Sequence, residues 1–146
     1  MGHYSFKPKY LGYCYIAVTI TDSKGNIYND HVIVEVNPKL ITESIMVNNN
    51  EKCDGEYSYG RIGEEVVINP VVTGGYLYDK RLKYTYEIQN YNKVTEAYES
   101  SGQVFDNLQS SEFKWTPDKE GKYRINIKVE DPIGSVSKTT IYYVAE

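Results

Sequence analysis

Apolar residues at every second position recur along this chain, and that period predicts β-strands with one face in a core and the other in water. Tyr123, Ile125, Ile127 and Val129 fall on one side of such a strand, with Lys122, Arg124, Asn126, Lys128 and Glu130 on the other. Leu82, Tyr84, Tyr86 and Ile88 alternate in the same way with Lys83, Thr85, Glu87 and Gln89. Shorter runs predict strands over Ile41 to Val47, within Gly63 to Pro70, over Glu112 to Thr116 and from Ser135 to Ala145. Residues 94–106 carry one or two weaker strands. No stretch sustains apolar residues at i, i+3, i+4 and i+7, so the chain reads as all-β. Tyr91 to Glu99 has room for a single helical turn.

The two ends of the chain repeat one another. Tyr4-Ser5-Phe6-Lys7-Pro8, Gly12, the run Tyr13 to Asp22 and Gly25 are matched by Phe113-Lys114-Trp115-Thr116-Pro117, Gly121, Lys122 to Asp131 and Gly134. Every landmark keeps the same offset from its counterpart without a gap, and that offset is the length of a sandwich module rather than of a solenoid turn. Asp131-Pro132-Ile133-Gly134 predicts the turn into the last strand, because proline presets φ and glycine permits a positive one. Asp22-Ser23-Lys24-Gly25-Asn26 predicts the same turn in the first copy.

Asn37-Pro38-Lys39 marks the junction. Residues 1–38 then read as the truncated C-terminal part of one repeat, a terminal hairpin. Residues 39–146 read as a complete sandwich of about seven strands. Met1-Gly2-His3 has neither the charged nor the apolar segment of a secretion signal, and the chain reads as a piece of something longer. A hairpin over residues 4–36 exposes Cys14, Ile16, Val18 and Ile20 with no sheet to cover them. Isolated hairpins are marginal in water and open edges invite pairing, so disorder, or self-association in a dimer or swapped assembly, is expected there.

Composition changes the picture at one point. The chain has 16 Tyr against 3 Phe and 1 Trp. Tyrosine suits any half-buried pleated surface, with its ring packed and its hydroxyl wet. It also builds ring platforms for sugars. Tyr57 and Tyr59, after Asp54-Gly55, and Tyr76 and Tyr78, after Gly74-Gly75, lie outside the predicted strands and are the candidate ligand-binding residues.

The remaining chemistry is mostly excluded. A net charge of −4 with no basic cluster argues against nucleic acid. No apolar run approaches the roughly 20 residues that span a membrane as a helix. Cys14 and Cys53 occupy dissimilar surroundings, one in an apolar alternation and one in a polar loop, and lack metal or redox spacing. His3 and His31 have no nucleophile pattern around them. Glu64-Glu65 point to opposite faces of a strand and so do not flank one bond together. No calcium or phosphate loop is present, and neither catalysis, a metal nor a cofactor is expected.

Gly121-Lys122-Tyr123, the alternation after it, Asp131 and Gly134, with Phe113 to Pro117 before them, resemble the end of bacterial immunoglobulin-like modules. With Tyr84 and Tyr86, the complete unit is similar to triple-tyrosine (three-Y) domains, found in two-component sensors and, in tandem, in secreted clostridial-type proteins. The terminal hairpin is similar to that of polycystic-kidney-disease-like (PKD-like) modules. The first copy departs from the pattern, with Cys14 at the tyrosine position. The resemblance implies an immunoglobulin-like β-sandwich in an extracellular or cell-surface setting, serving as a non-catalytic spacer or adhesion module beside neighbouring repeats. Its alternatives are a carbohydrate- or cell-wall-binding accessory module of a secreted hydrolase and the extracellular domain of a sensor. Partners would be cell-wall polysaccharide or a host or surface protein.

Overall fold

The computed structural model describes residues 3–146; Met1 and Gly2, where the sequence has no secretion-signal pattern, lie outside the described residues. Among the described residues there are eleven strands and no helix. The chain divides into two compact units, one ending at Pro38 and the other running Lys39–Glu146.

The first unit is an antiparallel hairpin of β1 (Gly12–Thr21) and β2 (Ile27–Val36). Its turn is closed by Asp22, whose Oδ1 accepts the Lys24 and Asn26 amides at 2.8 and 2.9 Å. Cys14 and Ile16 are half-buried, while Val18, Ile20 and Val32 are exposed. The alternation implied a core behind Cys14, and the hairpin has only two strands with which to build one.

The second unit contains β3 (Ile41–Val47), β4 (Asn50–Lys52), β5 (Tyr57–Gly60), β6 (Val66–Thr73), β7 (Lys83–Asn92), β8 (Ala97–Leu108), β9 (Phe113–Trp115), β10 (Gly121–Glu130) and β11 (Val136–Ala145). They form a five-stranded sheet, β5-β11-β10-β7-β8, and a four-stranded sheet, β4-β3-β6-β9. One core joins the inner faces. Tyr84, Tyr86, Ile88, Ile125 and Ile127 from the first sheet are buried in one cluster with Ile45, Val47, Ile68, Phe113 and Trp115 from the second. Burial alternates along β10 as the apolar period requires, with Tyr123, Ile125, Ile127 and Val129 all inside.

The two hairpins have the same register. Gly12 opposes Val36 and Thr21 opposes Ile27; at the matching positions of the second copy, Gly121 opposes Ala145 and Glu130 opposes Val136. The turns are built alike. Asp131 Oδ1 accepts the Ile133 and Ser135 amides at 3.2 and 2.8 Å, and Gly134 takes φ +89° where Gly25 takes +82°.

Three expectations change. The second unit has nine strands rather than about seven, in part because the Asn-rich segment is a hairpin and not a loop. Asn48 and Asn49 take φ of 47° and 64°, the two left-handed residues of a tight hairpin turn, and asparagine tolerates that region better than most residues. Residues 94–106 belong mostly to one long strand, β8, whose register against β7 shifts twice and so hides its alternation. Tyr91 to Glu99 holds the end of β7, the turn at residues 93–96 and the start of β8 rather than a helical turn, with the Asn92 carboxamide oxygen accepting the Val94 amide at 2.8 Å.

Candidate functional site

Strand β5 brings tyrosines to the outer face of the five-stranded sheet. It pairs parallel with β11, setting Tyr57 opposite Tyr142 and Tyr59 opposite Val144. Strand alternation then points Tyr57 and Tyr59 outward and Ser58 inward. The Tyr57 and Tyr142 rings stack with centroids 4.9 Å apart and planes 19° from parallel. Tyr59 continues the row at 6.5 Å and 23° from Tyr57. Tyr59 is 72% exposed and Tyr57 40%, so the outer end of the row is open to a ligand.

The row continues across the sheet. Tyr98 on β8 lies 5.6 Å from Tyr142 and 5.2 Å from Tyr91, and the Arg124 guanidinium sits 4.8 Å from the Tyr98 ring centre. Burial, followed by the charge and hydrogen bonding of Tyr57, pushes the Tyr98 phenol up to about 12. Arg124 also donates from Nε to the Gln89 carboxamide oxygen at 2.6 Å, and Asn126 donates to the same oxygen at 3.1 Å. Thr140 in turn donates to Asn126 at 2.9 Å. The inner half of the row is therefore tied into a network of rings, guanidinium and amides. Tyr59 and the edge of Tyr57 are the parts that project.

Beside Tyr59 a cleft of about 430 Å³ opens between edge strands β4 and β5. Val47, Ser58 and Tyr143 are its buried lining, and Asn48, Asn50 and Tyr59 its exposed rim. Tyr143 fits there because Gly60 has no side chain. A methyl at position 60 would collide with the Tyr143 hydroxyl and lie 3.0 Å from Cζ of that buried ring.

The other predicted pair lies elsewhere. Tyr76 and Tyr78 meet edge to face at 5.7 Å and 74° in the β6–β7 connection, next to Gly74 and Gly75. Gly75 abuts Asp131, at the far end of β10 from Arg124, which opposes Tyr142. From Arg124 to Asp131 the strand runs about 20 Å or more. The four tyrosines are thus two pairs at opposite ends of the unit. Tyr57 and Tyr59 also lie within a strand, not outside the strands as their sequence setting suggested.

Tyr142, Tyr98 and Tyr91 are the residues that the sequence pattern left out. One signal was present: Tyr143 keeps the inward register of Ile141, so Tyr142 must face outward. Its meeting with Tyr57 depended on a short parallel strand that leaves almost no period to read.

Of the remaining polar residues, His31 stacks on Tyr15 at 5.1 Å in the first hairpin, and both cysteines are free thiols. Among the described residues, no three His, Cys, Asp or Glu side chains come together as a metal would require. No protein-family model matches the chain, and no curated protein matches it.

Proposed function

We propose that the chain is a non-catalytic, immunoglobulin-like piece of a secreted or surface-anchored bacterial protein, in which repeated sandwiches act as spacers or adhesive modules. The observation that carries this reading is the pair of hairpins with one register and one turn, Gly12 to Val36 and Gly121 to Ala145. In the second unit this hairpin is covered by β3, β6 and β9 and extended at its edges by β7 and β5. The first hairpin has the same alternation, so the same strands of a like module suit it. The test is an extended chain in which a copy of residues 39–120 is placed directly before Gly12. Amides of Ile16 to Ile20 are expected to gain slow hydrogen exchange. Self-association through residues 4–36 of the original chain, read by sedimentation velocity, should disappear. Unprotected amides in the extended chain would contradict the tandem-module reading.

A second reading, an accessory module that binds carbohydrate or cell wall, is favoured by the row Tyr59, Tyr57 and Tyr142. The exposed ring of Tyr59 at the end of the row suits the flat C–H face of a sugar, and amides lie alongside. The chain is expected to sediment with at least one insoluble matrix among peptidoglycan, chitin and cellulose. Tyr57→Ala/Tyr59→Ala should lose that retention, while Tyr76→Ala/Tyr78→Ala should keep it. Equal retention of the two double variants would remove the row from consideration.

A further inference from the structure

We propose that the cleft between β4 and β5 is an end subsite for one unit of a neutral glycan, whose following unit lies on Tyr59 and the projecting edge of Tyr57; this rests on the carbohydrate-binding reading. The argument begins with Ser58. It is 8% exposed, and its Oγ has no hydrogen-bond partner among the described residues. A buried hydroxyl without a partner costs stability, and alanine would fill the same position without that cost. A serine here is unfavourable for the fold, yet it lies in the lining of an open cleft. A ligand that reaches past the rim side chains into the lining would supply the partner that this hydroxyl lacks.

The rim has the matching chemistry. Asn50 follows the β3–β4 turn and donates its side-chain amide to the Asn48 carbonyl over a long 3.3 Å. Glu51 and Lys52 come next with opposite charges, so the cleft has no net sign and favours a neutral ligand over an anionic one. Amides and paired charges offer the donors and acceptors that sugar hydroxyls need. Tyr59 belongs to both the cleft and the row, and this makes the two surfaces continuous. A volume of about 430 Å³ lies within the range of small-ligand sites. Tyr59 is the ring of the row that lines the cleft and the one most open to solvent, so the cleft takes a chain end and Tyr59, with the edge of Tyr57, takes the unit that follows.

The experiment is a titration of the isotope-labelled chain, followed by amide NMR, with two probes: cellohexaose and the β-linked hexasaccharide of N-acetylglucosamine. With at least one probe, amides of Asn50, Ser58 and Tyr59 are expected to shift together with those of Tyr57 and Tyr142. Ser58→Ala should weaken that binding about fivefold to tenfold, the loss expected for one hydrogen bond. Its melting temperature should stay unchanged or rise. Asn50→Ala, on the exposed rim, should weaken binding as well and serves if Ser58→Ala does not fold. Shifts confined to Tyr57, Tyr59 and Tyr142, with both variants binding like the parent, would overturn the subsite and leave the carbohydrate reading standing. No shift with either probe would overturn both. A fall in melting temperature for Ser58→Ala with unchanged affinity would make the hydroxyl structural and overturn the proposal.

Discussion

Tyr86→Ala is expected to lower the stability of the second unit by about 3–5 kcal/mol, the range for removing a large buried aromatic. Tyr86 is fully buried in the core. Its ring lies flat on Phe113, with centroids 4.2 Å apart and planes 12° from parallel, and Phe113 in turn packs against Phe105 at 4.9 Å. Through this stack β7, β8 and β9 touch, so the two sheets are joined at this point. The Tyr86 hydroxyl donates to the Ser111 carbonyl at 2.9 Å, holding the connection that leads into β9. Alanine would leave a cavity between the sheets and a carbonyl without its partner. Tyr86→Phe separates the two effects, because it keeps the stack and loses only the hydrogen bond, at about 1 kcal/mol. Urea unfolding followed by the fluorescence of the single tryptophan, Trp115, measures both. Since a domain of this size is stable by about 5–15 kcal/mol, the alanine variant should lose a large share of its folded margin. A loss below about 1 kcal/mol in Tyr86→Ala would mean that the sheets are held together elsewhere.

The second large effect is expected at a residue with no side chain. Gly74 takes φ +78°, and a methyl there would collide with the carbonyl oxygen of Lys39 and lie 2.7 Å from its carbonyl carbon. Both groups are backbone, so no rotamer change relieves the clash. Lys39 leads into Leu40, which is in the core, and then into β3, so relief would pull that strand away from β6. Gly74→Ala should therefore lose about 2–4 kcal/mol, combining the left-handed penalty with the cost of overpacking. Gly55→Ala is the control. Gly55 has nearly the same φ, +82°, but open space around it, so only the conformational part of about 1–2 kcal/mol applies. Thermal unfolding of the two variants in parallel measures the difference. Equal losses would show that the start of β3 yields freely.

The tyrosine row shows where sequence reasoning stops. The alternation of β7 and β10 was legible along the strands, and the apolar positions read within them, from Tyr84 to Ile88 and from Tyr123 to Val129, are buried. Leu82, just before β7, is only partly covered. Strand β8 shows only a weak pattern, because its two register shifts break the period that would reveal it. Strand β5 carries no readable period. It is four residues long, only Tyr57 and Tyr59 carry outward side chains, and its partner β11 stands at the other end of the unit's sequence. Loop signals around Asp54-Gly55 and Gly74-Gly75 made Tyr57, Tyr59, Tyr76 and Tyr78 look equivalent. Pairing with β11 drew the first two into a row with Tyr142 and left the other two at the opposite end.

The features written into the amino-acid order are local ones: the period of two, the Asp and Gly positions at each turn, and the recurrence that returns as one register in both hairpins. They follow from the chain's own stereochemistry, in which alternation assigns each residue a face and a left-handed position selects glycine or asparagine. The choice of neighbouring strands was made in three dimensions, and with it came the row of Tyr59, Tyr57 and Tyr142 and the cleft above Ser58. The reason is physical: a strand's pattern says which side of a sheet each residue faces, and says nothing about which distant strand will lie alongside it.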